Sequence, residues 1–356
     1  MNPSIEVPKA RLVVTLGGGG VGKTTLSAAL ALGFAELGLR SVVLTVDPAK
    51  RLATILGLES LSIEPRRVFE APGGGSADAL WLDSRSALES LVRQYAPQTA
   101  DRVLGNRLFK VLQGQLGGIE EYLGVERILA VGRGGDFDVC ILDTPPSRHA
   151  LDFLDSPGHL LRFFDESVLR FFVESERLTE KGFFSRLIDT GRGQALELFR
   201  GFLGKSFLGE LSTLLTEFRP VYEVLKRRAR EIEMWTGSDR TEFLLVATPE
   251  TYPVEEAVFL SREIETRGLP GRRVLALNKC LPADPLPPGA LEAALGAETA
   301  SALRARQANE ARLRAEIAAR LGDAPRAELA RASGHELDLN RLTRLGRQLI
   351  QEGRFL

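Results

Sequence analysis

The sequence predicts an α/β fold: a doubly wound, mainly parallel sheet flanked by helices, with an all-helical insertion. Three observations predict it. Short, β-branched apolar runs alternate with helical segments, most runs end in an Asp, Asn or Pro turn, and the first run opens a glycine-rich loop that leads straight into a helix. The 356 residues permit two domains, or one α/β domain with insertions. With 44% apolar and 26% charged residues, core material is ample and the chain reads as an ordinary globular protein.

Arg11 to Leu26 read RLVVTLGGGGVGKTTL. Leu12 to Leu16 is a buried-strand pattern, and the Ala/Leu-rich segment after Thr25 is helical. Between them, Gly17, Gly18, Gly19, Gly20, Val21, Gly22, Lys23 and Thr24 form G-x-x-x-x-G-K-T in its required strand–loop–helix setting. Glycines let backbone N–H groups close on a phosphate without Cβ interference, and the helix start adds free donors and a positive dipole end. Lys23 is placed to reach the β- and γ-phosphates, and the Thr24 hydroxyl to bind Mg²⁺, with Thr25 beside it. The pattern implies binding of a nucleoside triphosphate.

The helix runs from Leu26 to Leu39, with Gly38 at its carboxyl end. Ser41 to Val46 is a second strand, ending in Asp47-Pro48-Ala49. An Asp there lies beside the phosphate loop, so Asp47 is a candidate for acting on the metal or its water, or it caps the next helix. Pro72 to Ser76 is a glycine-rich loop, and Ala79 to Asp83 reads as a short strand. Ser86 to Val131 is helical, with a break at Gly117-Gly118. Phe137 to Asp143 is another apolar strand closed by an aspartate, the Walker B arrangement, which makes Asp143 a candidate Mg²⁺ residue. Cys140 within it reads as core.

Ten of the 18 phenylalanines fall between Leu160 and Pro220, among frequent glycines. This stretch reads as short helices carrying a surplus apolar face, which either packs the insertion or forms a groove for an apolar client segment at 160–220. The domains are then 1–158 for the first part of the nucleotide-binding core, 159–236 for the insertion, and 237–356 for the rest of the core with C-terminal helices. Lys226 to Arg230 reads as a solvated face. Glu242 to Ala247 is a strand ending in Thr248-Pro249-Glu250, Val254 to Thr266 a helix, and Arg273 to Leu277 a strand ending in Asn278-Lys279. The Asn278 carboxamide suits an adenine edge. Beyond Pro288 the pattern is Ala/Arg/Glu-rich helix, exposed over Glu310 to Arg320, with a final helix near Leu339 to Gln351 and no visible catalytic group.

Lys plus Arg (46) balance Asp plus Glu (47), which argues against nucleic acid as a partner. Cys140 and Cys280 are the only cysteines, which fits a reducing compartment and argues against a disulfide framework or a zinc cluster. No apolar run is long enough to span a membrane, and the phosphate loop at residue 17 leaves no space for a signal peptide, so a cytoplasmic location is expected.

GGGGVGKTT, VDPAKRLATILGL and LDTPPSRHALDFLDSPGHL together resemble the bacterial ATPases related to the arsenite-pump ATPase and to the tail-anchored-protein targeting ATPase. The TPE and LNK turns, at Glu250 and Asn278, match the same pattern, and the resemblance covers nearly the whole chain. It implies a deviant-Walker fold, ATP and Mg²⁺ as cofactors, a dimer closing over two nucleotides, switch loops at 47–54 and 143–149, and client contact by the region at 160–220. Two departures stand out. The resemblance puts a second lysine, reaching across the dimer, where Gly18 stands, and a catalytic aspartate where Thr54 stands. Threonine is no general base at neutral pH. The paired cysteines of a zinc clasp and those that bind trivalent arsenic are also absent. Two functions follow as expectations: a Mg²⁺-dependent ATPase of low intrinsic activity, working as a homodimer or a heterodimer with a related ATPase, or a non-hydrolysing ATP-binding chaperone or regulatory subunit paired with an active paralogue. A metabolic kinase fits less well, because the Asp-Pro-Ala and Asp-Thr-Pro-Pro turns are built to report hydrolysis.

Overall fold

The computed structural model describes residues 9–46, 51–110, 119–145, 205–281, 289–322, 324–331 and 338–355. In chain order they form β1 (Arg11–Leu16), α1 (Lys23–Glu36), β2 (Arg40–Thr45), α2 (Arg51–Ile55), β3 (Arg66–Glu70), β4 (Ser76–Trp81), α3 (Ser84–Tyr95), α4 (Ala100–Gly105), α5 (Ile119–Arg133) and β5 (Val139–Asp143). There follow α6 (Lys205–Thr236), β6 (Thr241–Ala247), α7 (Thr251–Thr266), β7 (Arg272–Cys280), α8 (Ala290–Leu295), α9 (Ala297–Leu321), β8 (Arg326–Ala330) and α10 (Leu339–Gly353).

Among the described residues the sheet has eight strands in the order β3-β4-β2-β5-β1-β6-β7-β8, all neighbours parallel except the β3–β4 hairpin. Strands buried on both faces read as continuous apolar runs, and β1, β2, β5 and β6 do. Because these strands are parallel, their carboxyl ends gather on one edge, where ligands collect in such sheets. The order also reverses direction about β1, so the glycine loop opens at the switch point.

α1 is apolar all round, and that is how a helix buried on every side should read. Leu26, Leu30, Leu32 and Phe34 are at most 1% exposed, and each such side chain contributes roughly 1.5–3 kcal/mol. α10 covers it through a two-glycine crossing: a Cβ on Gly346 would lie 1.9 Å from the Ala29 carbonyl oxygen, and one on Gly33 2.7 Å from the Gly346 carbonyl carbon. Larger residues at either position would force the helices apart. Arg347 seals the contact by pairing with Glu36 at 2.9 Å.

Several elements differ from the sequence expectation. β4 begins at Ser76, three residues early, and β3 pairs antiparallel with it. β8 lies in a stretch expected to be helix, and pairs parallel with β7. Glu310 is fully buried: its carboxylate accepts from the Leu281 N–H at 2.9 Å and pairs with Arg314 at 3.5 Å, so the face expected to be solvated is partly core.

The chain divides into two compact units. The first, Met1–Asp83, Gly124–Leu154 and Glu231–Leu356, contains the sheet; the second is Ser84–Leu123 with Asp155–Arg230. α3 and α4, between β4 and β5, therefore cluster with the residues expected as the insertion, and the second unit ends at Arg230. The Phe-rich segment from 160 to 204 lies outside the described residues. From Lys205 the chain is one helix of 32 residues, running through Gly209 and Pro220 where shorter pieces were expected. Within the second unit Phe218 packs against Phe109 with ring centroids 5.8 Å apart, and Arg228 donates to the Tyr95 hydroxyl at 2.7 Å instead of facing solvent with its neighbours.

Cys140 is fully buried and Cys280 4% exposed. Burial pushes the Cys140 thiol far up, and the Cys280 thiol up to about 11. Both should therefore be unreactive at neutral pH, since the thiolate is the nucleophile. A chromogenic disulfide reagent should titrate neither of the two free thiols in the folded protein and both in denaturant; rapid native reaction at Cys140 would contradict its placement.

Candidate nucleotide site

The glycine loop folds back over the start of α1 because of two side chains. Lys23, 7% exposed, donates its Nζ to the Gly17 and Gly18 carbonyls, each at 2.8 Å. Asn278, at the carboxyl end of β7, donates Nδ2 to the Val21 carbonyl at 2.8 Å, while its Oδ1 accepts from the Lys279 N–H at 2.9 Å. Gly22 is indispensable for that clamp: its φ is +105°, and a Cβ there would lie 2.3 Å from Asn278 Nδ2. Lys279 itself has φ +63°, rare for a lysine, and this conformation lays its Nζ 2.7 Å from the Gly20 carbonyl. Asn278, expected to face an adenine, is thus engaged with the loop.

Strand register sets the second half of the site. Thr15 of β1 and Thr45 of β2 flank Asp143 of β5 at the same level. Asp143, 1% exposed, accepts at Oδ2 from the hydroxyls of Thr45 at 2.9 Å and Thr24 at 2.8 Å. Thr144 donates to the Thr15 carbonyl at 2.6 Å and fixes the turn beyond the strand. One hydroxyl and one carboxylate meet at the first turn of α1, hard oxygen donors of the kind Mg²⁺ takes. Asp47, the other expected metal and catalytic residue, lies outside the described residues.

A cavity of about 840 Å³ opens over these groups. Of the expected residues, Gly20, Gly22, Lys23, Thr24, Thr25 and Asn278 line it; Gly17, Gly18, Gly19, Val21, Asp143 and Glu250 do not. Glu250 is exposed at the start of α7, and its carbonyl accepts from the Val254 N–H at 3.1 Å. Thr54 is exposed on α2; its neighbours Arg51 and Ile55 face the cavity, and Thr54 is not among the lining residues. Gly18 faces away, toward α7: a Cβ there would lie 2.3 Å from Glu256 Oε2.

Sequence reasoning missed Lys279 and the far wall, where Arg331, Arg341, Arg344 and Gln348 line the cavity. One signal was available: Arg341, Arg344 and Gln348 are spaced i, i+3, i+7, a single stripe of α10 opposite Leu342, Leu349 and Ile350. Nothing in the sequence said which way that stripe pointed.

A family model described as an anion-transporting ATPase matches residues 10–350. The chain is 26% identical over 279 residues to a putative arsenical pump-driving ATPase of Aquifex aeolicus, covering 76% of this chain and 80% of that one. It is 26% identical over 275 residues to an ASNA1-homologue ATPase of Entamoeba histolytica, with 75% of each covered. To the ATPase GET3C of Arabidopsis thaliana it is 23% identical over 301 residues, covering 79% and 70%. Among the described residues, no helix is long and apolar enough to cross a membrane.

Proposed function

The chain belongs to the anion-transporting ATPase family, and from that premise we propose that it binds ATP with Mg²⁺ and acts as a nucleotide-dependent dimeric switch with slow hydrolysis. The observation that carries this reading is the 2.8 Å hydrogen bond between the Thr24 hydroxyl and Asp143, one residue from the buried Lys23 and over an open cavity. Thr24 would bind Mg²⁺ directly and Asp143 through water; the ion supplies charge neutralisation on the β- and γ-oxygens when bound. Lys23 exchanges its two carbonyl partners for phosphate oxygens, and the N–H groups at the start of α1 turn toward the same anion. Asp47 orients the attacking water. The working unit is a homodimer or a heterodimer with a related ATPase in the cytoplasm, and the insertion over 160–220 meets an apolar client.

A second reading has its own support. Thr54 replaces the expected aspartate and does not line the cavity, which favours a subunit that holds ATP without turning it over. Single-turnover hydrolysis of labelled ATP by the purified chain with Mg²⁺ separates the two: slow release of phosphate supports the switch, and bound, intact ATP supports the holding subunit. Asp143→Asn should remove the Mg²⁺-dependent part of ATP affinity, because the amide can no longer hold a metal-bound water as an anion does. Equal ATP affinity with Mg²⁺ and with chelator in the wild type would sink the metal assignment. GTP competing as well as ATP would remove the adenine preference.

A further inference from the structure

The cavity has two walls of different origin. One is the glycine loop, the start of α1, α2 and the ends of β5 and β7; the other is the turn after β8 and one stripe of α10. The second wall presents three guanidinium groups, from Arg331, Arg341 and Arg344, and no carboxylate is among the described lining residues. Lys23 and Lys279 supply cationic charge from the first wall, beside the helix dipole, and Arg51 of α2 adds another. A triphosphate with its metal carries a charge that these groups already match, so the arginine wall is in excess of what the phosphate loop needs.

That wall is built, not incidental. The Gly33–Gly346 crossing locks α10 against α1 and so fixes where its arginine stripe points. Arg347 of the same helix is paired with Glu36. Among the described residues, Arg331 and Arg344 have no carboxylate within ion-pair distance. Guanidinium forks match phosphate oxygens in pairs, and arginines beside a bound nucleotide's ribose are a known means of reading a sugar phosphate.

We propose that this cavity is specific for a nucleotide bearing a second anionic group at its sugar, a 2′- or 3′-phosphate, with the 5′-phosphates in the glycine loop and the sugar phosphate on Arg331 and Arg344. The inference rests on the nucleotide reading above and deepens it. It makes the site a sensor of ribose-phosphorylated nucleotides in competition with ATP.

The test is equilibrium binding of ADP, adenosine 5′-diphosphate carrying a 3′-phosphate, and the 2′-phosphate isomer, each with Mg²⁺, to the full chain. At least one ribose-phosphorylated form should bind about 10- to 100-fold tighter than ADP, the gain expected of one bidentate charge-assisted contact. Arg331→Gln with Arg344→Gln should erase that preference, so that ADP and its ribose phosphates bind alike, with Arg347→Gln as the charge-matched control that keeps it. If ADP binds in a Lys23-dependent manner and no ribose phosphate adds affinity, the arginine wall serves something else and the proposal falls while the nucleotide reading stands. If the preference survives in the double variant, the residues are wrongly assigned. If neither ADP nor its ribose phosphates bind, both readings fall together.

Discussion

Replacing Lys23 by alanine should weaken Mg²⁺-ATP binding at least about a hundredfold. The side chain is 7% exposed and its ammonium already bridges two loop carbonyls, so it is held in place before any ligand arrives. On phosphate binding it trades neutral acceptors for anionic ones. Two charge-assisted hydrogen bonds at roughly 1.5–3 kcal/mol each amount to about 3 kcal/mol or more, and 1.4 kcal/mol is tenfold in affinity. Removing the ammonium also unties Gly17 and Gly18, so the loop has to be ordered by the ligand, a further cost in binding. Calorimetric titration of wild type and Lys23→Ala with a non-hydrolysable ATP analogue checks this. A thermal melt accompanies it, because the lost bonds are local and the sheet should stay folded. Unchanged affinity in a folded variant would remove the glycine loop from the binding site.

The halves of this site were legible in the sequence to different degrees, for physical reasons. The loop, Lys23, Thr24 and Asp143 announce themselves because each chemistry needs a residue type at a fixed spacing. The topology that joins them follows from apolar runs too continuous for one-sided strands. β3 did not show, because RRVFE lies on the sheet edge and its only two apolar residues, Val68 and Phe69, are adjacent and only partly buried. β8 was hidden by its composition: RAELA is made of good helix formers, and its strand state comes from pairing with β7, with Ala327 and Leu329 turned inward. α6 errs in the other direction. Gly209 reads as a break, yet the helix runs through it and through Pro220, and it buries Leu214, Phe218, Val221 and Leu225 along one stripe. Burial of that face outweighs the roughly 3 kcal/mol that an interior proline costs. The arginine wall depends on which side of α10 meets α1, a fact held by Gly33 and Gly346 and by no motif.

Wild-type turnover should lie well below 1 s⁻¹, and Gly18→Lys alone should not raise it. In the proposed dimeric switch, a lysine at position 18 would cross the interface to the opposite nucleotide. A cation supplied in this way contributes ~10³–10⁵ in rate, or roughly 4–7 kcal/mol of barrier. Gly18 cannot supply it, and the structure adds a reason why simple restoration fails. Glu256, 8% exposed on α7, places Oε2 2.3 Å from where the new Cβ would go, and that oxygen has no hydrogen-bond partner among the described residues. A lysine introduced there has to push the carboxylate aside, and then meets it as the nearest anion. Its ammonium should pair with Glu256 of its own chain, the carboxylate beside the new side chain. Gly18→Lys should thus leave turnover within about threefold of wild type and raise the melting temperature, by neutralising a buried carboxylate. Adding Glu256→Gln frees the lysine, and adding Thr54→Asp restores the aspartate that the family resemblance puts at that position. The triple variant should be the first in the series to gain tenfold or more. Steady-state phosphate release across wild type, the single, the double and the triple variants measures each step. Wild-type turnover at about 1 s⁻¹ or above would show Gly18 and Thr54 to be harmless, and full rescue by Gly18→Lys alone would show that Glu256 does not restrain position 18.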